Sequence, residues 1–181
     1  MKHSLYLGLG SNVGNRVEFI AAAIRGIADF DKTVVDAVSD VYQTEPVGNV
    51  PQKEFLNLAI SVRTDLTVEE FHKKMKWLEK EIGRTESERW GPREIDIDLL
   101  LFDGLILNSD AIRIPHAEMV NRKFVLQPLS EIAPMVLHPI AQKSIEELNN
   151  ETTDNHGVEY SEMHTSQLFA LINDSITNPT V

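Results

Sequence analysis

The sequence predicts an α+β fold in which a mainly antiparallel sheet carries two helices. Two observations support this prediction. Four segments have the alternating or β-branched composition of strands, and two longer segments repeat apolar residues at helical spacing. Their order is βαββαβ, which is typical of an antiparallel sheet with both helices on the same face. A chain of 181 residues is long enough to form one domain with a hydrophobic core.

One helix and three strands are predicted in the first third of the chain. Residues 5–9 form the first strand, and the glycine-rich turn after it matches neither a phosphate-binding loop nor a dinucleotide-binding fingerprint. Asn15 is placed to cap a helix over residues 17–28, where apolar side chains recur at helical spacing. Residues 34–42 are rich in β-branched side chains and residues 55–64 alternate, so both are predicted strands.

A second helix and a fourth strand follow. Thr67 and Glu70 form a capping box that opens the helix, and Gly83 is placed to end it. The apolar residues between these ends form one stripe that a core can bury. Residues 95–102 are predicted as the fourth strand and residues 105–107 as a short extra strand.

The remainder of the chain has a weaker pattern of apolar and polar residues, so its secondary structure is less well predicted. Residues 110–140 contain four prolines and are predicted to form loops and short helices. Residues 149–181 are polar apart from the apolar run at 168–172, and they contain no Lys or Arg. We expect them to form an acidic C-terminal extension, which could be mobile, appended to a domain of residues 1–148. Truncation of this extension is expected to leave turnover nearly intact.

Composition narrows the classes of function. The net charge of −11 argues against general nucleic-acid binding. There is no apolar run near the 18 residues of a membrane span, so no membrane partner is expected. The absence of cysteine excludes disulfides, thiolate catalysis and zinc–thiolate sites. With no signal peptide evident at the start, the expected location is the cytoplasm.

Asp96 and Asp98 are the most informative pair of residues, because positions two apart on a strand point to the same face. Two carboxylates on one rigid face suit magnesium, which takes oxygen ligands and often substrate phosphates. Arg89 and Arg93, just upstream, are suited to bind phosphate oxygens. The set indicates phosphoryl or pyrophosphoryl transfer. The alternative is an edge strand with a charged solvent face, but the apolar run 99–102 favours a central strand covered on both faces.

Two long loops precede the aspartates in the sequence. The loop from residue 42 to residue 57 contains two prolines, and long loops in small domains are usually functional, although an ordinary connector is the alternative. Asn57 lies in an apolar strand, where its amide could satisfy the main chain or bind the amide edge of a planar heterocycle. The loop over residues 83–93 carries three arginines and is predicted to be a mobile lid over phosphates rather than a solvated connector.

A third cluster follows Pro115. His116 alone is a weak signal, because a single histidine after proline is usually structural. Arg122 and Phe124 alternate ahead of an apolar segment that we predict to be a strand. This arrangement would place a phosphate-binding side chain beside an aromatic ring.

These motifs occur together and in a fixed order. They are Gly10-Ser11-Asn12, Tyr42-x-Thr44-x-Pro46-x-Gly48, Phe55-x-Asn57, Gly83-Arg84, Arg89-Trp90-Gly91-Pro92-Arg93-x-Ile95-Asp96-Ile97-Asp98, Pro115-His116 and Arg122-x-Phe124. Over roughly residues 4–140 the chain resembles the 6-hydroxymethyl-7,8-dihydropterin pyrophosphokinases of folate biosynthesis. The resemblance implies a ferredoxin-like fold. It also implies that ATP gives its β,γ-pyrophosphoryl group to the pterin hydroxymethyl oxygen, and that AMP leaves.

The resemblance also implies roles for individual residues. Asp96 and Asp98 would hold two Mg2+ ions against the triphosphate, and Arg84 and Arg93 would be catalytic residues that contact phosphates. The implied ATP-binding residues are Glu79, Arg84, Arg93, Leu99, His116 and Arg122. The implied pterin-binding residues are Thr44, Pro46, Val47, Phe55, Asn57, Trp90 and Phe124, with the two phenylalanines stacking on the ring. The expected partners are ATP and the pterin, and the expected oligomeric state is a monomer.

Two other functions fit the same residues. One is a magnesium-dependent phosphotransferase or phosphatase with a different acceptor. The other is a ferredoxin-like binding module that senses a nucleotide without turning it over. AMP release that depends on the pterin would separate all three.

Overall fold

A six-stranded antiparallel sheet lies at the centre of the protein. The computed structural model describes residues 1–46, 51–85 and 91–177, with side chains described to residue 173. Its strands are β1 (His3–Ser11), β2 (Thr33–Val38), β3 (Tyr42–Thr44), β4 (Phe55–Thr64), β5 (Asp96–Phe102), β6 (Leu107–Asn108), β7 (Arg113–Ile114) and β8 (Val158–Tyr160). The sheet has the order β5-β1-β4-β3-β8, with β2 also paired to β4, and β6 and β7 form a separate pair.

Helices cover both faces of the central sheet. They are α1 (Arg16–Ala28), α2 (Val68–Ile82), α3 (Lys123–Ile132), α4 (Ile145–Glu151) and α5 (Glu162–Thr177). Side chains of α1, α2 and α5 share one core with the odd-numbered leucines of β1, whereas α3 and α4 share a second core with Leu100 and Leu101. The predicted α+β class and the βαββαβ order are confirmed, and α1 and α2 lie on the same face.

The two predicted helix starts have different outcomes. The hydroxyl of Thr67 accepts a hydrogen bond from the Glu70 amide, and the Glu70 carboxylate accepts one from the Thr67 amide, so the capping box of α2 is confirmed. Gly83 ends α2 with a φ of 115°, a left-handed conformation that favours glycine. Asn15 precedes α1, but its side chain makes no capping hydrogen bond, so this part of the prediction is wrong.

The predicted second strand is divided into β2 and β3. Ser39, between them, is fully buried, and its amide donates to the Ala59 carbonyl while its hydroxyl accepts from the Ala59 amide. A side-chain oxygen thus replaces a backbone carbonyl in the pairing with β4, which breaks the regular ladder. The chain bends there, and β2 and β3 pair with successive parts of β4.

β5 is an edge strand of the sheet, not the central strand that its apolar run suggested. The run instead reflects coverage on both faces, because Leu99 enters one core and Leu100 the other at an irregularity in the pairing with β1. The open edge is covered by α2. The buried Glu79 carboxylate accepts a hydrogen bond of 2.7 Å from the Ile97 amide, which satisfies a donor that no neighbouring strand meets.

The segment after Phe124 is a helix, α3, and the prediction of a strand there is wrong. Val125, Leu126 and Leu129 are buried, a spacing that places them on one helical face. Short apolar runs fit a strand and a buried helix equally well, so periodicity could not decide between them. In consequence, Arg122 and Phe124 lie at the start of a helix.

The C-terminal segment packs on the domain, unlike the appended extension that the sequence suggested. The boundary predicted after residue 148 falls inside α4. β8 pairs with β3, and α5 packs on α1 with Leu168 fully buried. Leu168, Leu171 and Ile172 have the spacing of one helical face, a signal that is short and surrounded by polar residues.

Candidate active site

A cavity of about 310 Å3 opens beside the carboxyl end of β1 and the start of β5. Side chains reach it from strands, loops and the start of α3. Among the residues that line it are Gly8, Gly10, Thr44, Glu45, Gln52, Phe55, Asn57, Arg93, Asp96, Asp98, His116, Arg122 and Phe124. The structure therefore brings together most of the described residues that the sequence predicted for the site.

Two glycines of β1 make room for the acidic floor of the cavity. Gly8 pairs with Asp98 and Gly10 pairs with Asp96 across the sheet. A Cβ atom on Gly10 would lie 2.5 Å from Oδ1 of Asn57 and would enter the cavity. The glycines thus leave space that any other residue would fill.

Asp98 is surrounded by protein, and the part of its surface that remains exposed opens into the cavity. Burial, together with the neighbouring charge of Asp96, raises the pKa of Asp98 to about 7. Lys76 and Arg122 oppose this shift only in part. Because the carboxylate lacks enough positive charge nearby, a bound cation would stabilise its ionised form.

Asp96, unlike Asp98, lies beside two arginine side chains. Its Oδ1 lies 3.0 Å from Nη1 of Arg84 and 3.7 Å from Nη1 of Arg93. The Nε donor of Arg93 is buried and has no hydrogen-bond partner within the described parts of the chain. A buried donor of this kind is costly unless an acceptor meets it, so the arginine pair is suited to an incoming anion.

The two aspartates and Arg93 fit a magnesium ion that is bound to phosphate oxygens. No cluster of three or more His, Asp or Glu side chains that could hold a metal occurs in residues 1–46, 51–85 and 91–177. Two carboxylates alone leave most of an octahedral magnesium shell to other oxygens, and triphosphate oxygens are the usual supply. Arg93, which carries the buried Nε donor, lines the same cavity. The donor set therefore suits a metal that arrives with its phosphates.

Glu79 supports Arg84 and does not line the cavity. Its side chain is only 2% exposed, and its Oε1 lies 2.5 Å from Nη1 of Arg84. Lys76 Nζ lies 3.0 Å from the other carboxylate oxygen. The implied role of Glu79 in ATP binding stays a prediction, and these contacts connect Glu79 to the cavity through Arg84, which also pairs with Asp96. Leu99 is also buried in the core and is absent from the cavity lining.

A less charged part of the cavity lies between β3, β4 and α3. Nδ2 of Asn57 donates a hydrogen bond of 2.6 Å to Oγ1 of Thr44, a side-chain acceptor. Phe55 and Phe124 also line the cavity. The guanidinium carbon of Arg122 lies 5.7 Å from the centre of the Phe124 ring. The predicted placement of a basic side chain beside an aromatic ring is confirmed, although on a helix.

His116 also lines the cavity. Burial, followed by the charge of Arg122, lowers the pKa of His116 and favours the neutral ring. Its Nδ1 accepts a hydrogen bond from the Glu118 amide, so the neutral ring carries its proton on Nε2. The His116 amide donates to the Leu100 carbonyl, which holds the histidine against β5.

Asn12 is a site residue to which the sequence analysis assigned no role. Its Oδ1 accepts a hydrogen bond of 2.8 Å from the Arg93 amide, and its Nδ2 donates to the Gln52 side chain and to the Lys53 carbonyl. Asn12 thus joins the two loops that flank the cavity. The motif Gly10-Ser11-Asn12 was the available signal, but spacing alone does not show which segments an amide connects.

Several predicted residues lie outside the described parts of the chain or away from the cavity lining. Val47, Arg89 and Trp90 lie outside the described residues, as do residues 86–90 of the predicted lid. Pro46 is described but is not among the residues that line the cavity. Within the described residues, no helix is long and apolar enough to cross a membrane.

Sequence comparison gives consistent matches. The sequence model of the family described as 7,8-dihydro-6-hydroxymethylpterin-pyrophosphokinase matches residues 6–134. A 2-amino-4-hydroxy-6-hydroxymethyldihydropteridine pyrophosphokinase from Aquifex aeolicus is 41% identical over 150 residues, which are 83% of this chain and 92% of that protein. An enzyme of the same name from Bacillus subtilis is 38% identical over 136 residues, covering 75% of this chain and 81% of the relative.

Solved structures show the same fold. The Plasmodium falciparum HPPK-DHPS triple mutant superposes with a TM-score of 0.66 at 14% identity. The match covers 82% of this chain and 43% of the other, so this chain spans less than half the length of that protein. At this identity the likeness supports the fold alone.

Proposed function

Because the chain belongs to the 7,8-dihydro-6-hydroxymethylpterin-pyrophosphokinase family, we propose that this cavity is where it transfers pyrophosphate from ATP to 6-hydroxymethyl-7,8-dihydropterin. In this reaction of folate biosynthesis, the pterin hydroxymethyl oxygen attacks the β-phosphorus of ATP. The bond from the β-phosphorus to the oxygen of the α-phosphate breaks, the hydroxyl proton is lost, and AMP leaves. One observation supports the location above all others: Asp96 and Asp98 line the cavity together with Arg93, whose buried Nε donor has no hydrogen-bond partner among the described residues.

The residues suit transfer by alignment and charge neutralisation. A hydroxymethyl group is a poor nucleophile, and phosphate charges repel it, so positioning and positive charge supply most of the catalysis. Asp96 and Asp98 would hold magnesium, two ions in our proposal, which would neutralise phosphate charge when bound. Arg93 would donate to phosphate oxygens, and Arg84 would do so while Glu79 holds it from behind.

The remaining cavity residues divide into two groups in this proposal. Arg122 and His116 lie on the nucleotide side. Phe55 and Phe124 would stack on the pterin, and Asn57 with Thr44 would bind its polar edge. Pro46, Val47 and Trp90 stay proposed pterin contacts on the family resemblance. A cytoplasmic monomer is likewise a proposal, and light scattering after size-exclusion chromatography measures the mass that tests the monomer.

An assay of AMP release tests the proposed function. With ATP and Mg2+, AMP should form only when 6-hydroxymethyl-7,8-dihydropterin is present, in a one-to-one ratio with the pyrophosphorylated pterin. A phosphatase would release phosphate without the pterin, and a phosphotransferase with a different acceptor would form no AMP when the pterin is added. A nucleotide sensor would bind ATP and turn nothing over. Either of those results would contradict the proposal.

Phe124→Ala should weaken pterin binding and leave binding of an ATP analogue unchanged. Loss of one stacking wall should cost about 1–3 kcal/mol of pterin binding free energy. Isothermal titration calorimetry measures both affinities. Phe19→Ala is a control, since Phe19 packs against the main core away from the cavity lining. Unchanged pterin affinity in folded Phe124→Ala would remove this ring from the site.

A further inference from the structure

The C-terminal strand β8 begins beside the cavity. β3 is three residues long and lies between β4 and β8, with Thr44 paired to Phe55 on one side and to Val158 on the other. Thr44 also accepts the hydrogen bond from Asn57 inside the cavity. The pairing therefore connects the C-terminal segment to a strand whose last residue is part of the site.

Two hydrogen bonds extend this pairing to the cavity lining. The amide of Glu45 donates to the Gly157 carbonyl at 3.1 Å. The amide of Gly157 donates to Oε2 of Glu45, also at 3.1 Å. We call these two bonds the Glu45–Gly157 clamp. Glu45 lines the cavity, whereas Gly157 does not. The clamp thus holds a cavity residue from outside the cavity.

The start of α5 fixes the position of the clamp. The Ser161 amide donates to the Val41 carbonyl, and the Val41 amide donates to Oγ1 of Thr165. Leu168, one turn further along α5, is fully buried against the core. The segment that contains β8 and α5 is therefore bonded to Val41, the residue before β3, as well as to β3 itself. These bonds from the start of α5 determine the register of β8 with β3.

Glycine at position 157 suits the close approach of Glu45. A Cβ atom added to Gly157 would lie 3.2–3.3 Å from the Cδ, Cγ and Oε1 atoms of Glu45. These distances are shorter than ordinary van der Waals contacts, and a branched side chain would displace the Glu45 carboxylate further. A substitution at residue 157 would thus move Glu45, which lines the cavity, although residue 157 itself does not line it.

We propose that the segment of residues 157–173 positions the pterin-binding part of the cavity through the Glu45–Gly157 clamp. Gly157 is then a positioning residue that determines the affinity for the pterin but not for the nucleotide. The matched family model ends at residue 134, so Glu45 lies inside the part of the chain that the family model describes and Gly157 lies outside it. The inference rests on the proposed function, because it takes the region around Thr44 and Asn57 as the pterin site.

Steady-state kinetics of Gly157→Val test the clamp. Loss of a hydrogen bond that positions the site should raise KM for the pterin about three- to tenfold, while kcat and KM for ATP change less than about twofold. Gly104→Val is the matched control, because nothing lies within 4 Å of a Cβ at Gly104. It should leave all three parameters unchanged. A melting temperature for each variant separates positioning from loss of folded protein.

A double-mutant cycle gives a second test. Glu45→Gln keeps a side-chain oxygen that can accept from the Gly157 amide, so it should retain most of the pterin affinity, whereas Glu45→Ala should lose it. Glu45→Ala combined with Gly157→Val should be non-additive, since both remove the same contact. Additive effects, an unchanged pterin KM in Gly157→Val, or equal changes in both KM values would overturn the inference.

A different result would show that the proposed function is wrong. The wild-type protein would then form no AMP when the pterin is present. Calorimetric pterin affinities of the same variants then still measure the clamp. Absence of any pterin binding to the wild type would overturn both proposals together.

Discussion

Asp98→Asn is expected to abolish most turnover while making the ligand-free protein more stable at neutral pH. The substitution removes a proposed magnesium ligand, and metal ions supply several kcal/mol of charge stabilisation, so turnover should fall about a hundredfold or more. The same substitution removes a carboxylate that burial and Asp96 destabilise. Function and stability should therefore change in opposite directions.

The stability change has a definite pH dependence. The pKa of Asp98 is about 7 in the folded protein, against 3.8 for an ordinary carboxyl. Between these pH values the unfolded chain releases a proton that the folded protein keeps, so the wild type loses stability as pH rises and levels off above pH 7. Asp98→Asn should raise the free energy of unfolding by about 1–3 kcal/mol at pH 8. This value is smaller than the full pKa difference would give, because water in the cavity screens the charge. Near pH 4 the difference should vanish.

Thermal melts of the ligand-free protein from pH 4 to 8 measure this effect. Asp110→Asn, at an exposed position, controls for the general loss of a negative charge. Asp96→Ala should also lose turnover but gain no stability, because Asp96 is paired with Arg84. Near-normal magnesium-dependent turnover in Asp98→Asn would remove that aspartate from the metal site. A stability gain that persists at pH 4 would show that its charge is not the cause.

Truncation after Asn150 is expected to produce the largest loss of stability. The sequence alone suggested that this segment is dispensable, but the structure gives it a strand in the sheet and a helix on α1. Removal exposes the core around Leu168 and leaves β3 without one of its two partners. Loss of the Leu168 side chain alone should cost about 2–5 kcal/mol, against a total stability of about 5–15 kcal/mol for a domain. The truncated protein should melt far below the full chain or not fold.

Point variants keep this prediction testable when the truncated protein does not fold. Leu168→Ala should lower the free energy of unfolding in urea by the amount given above. Met163→Ala is a control on the same helix, because Met163 is 59% exposed and its loss should change stability by less than about 0.5 kcal/mol. A truncated protein with an unchanged melting temperature would show that α5 contributes nothing to the core.

Those parts of the fold with a strong local pattern were predictable from sequence. The capping box of α2 and the alternation in β4 depend on neighbouring residues, and both predictions were confirmed. The position of β5 at the sheet edge, the helix α3 and the packing of α5 depend on contacts between distant segments. A short apolar run is compatible with several such contacts, so its pattern could not select one.

The same division applies to the site. Asp96 and Asp98 were predictable, because a strand places residues two apart on one face. The support of Arg84 by Glu79 was not, since it depends on how the end of α2 meets the open edge of β5. Asn12 was seen only as part of a motif, because its partners are 40 and 81 residues away. Composition carries no information about such connections.

The glycines of β1 have a consequence for how this cavity can evolve. Space at Gly10 exists because a side chain is missing, and even a methyl group would collide with the Asn57 amide. Mutation of Gly10 can therefore only fill this space, so it closes the pocket and does not reshape it. New ligand preferences, or resistance to a compound bound there, must arise from the rim around Glu45 and Gln52, where side chains can change without filling the floor. An inhibitor that depends on contacts with the β1 backbone would leave the protein few routes of escape.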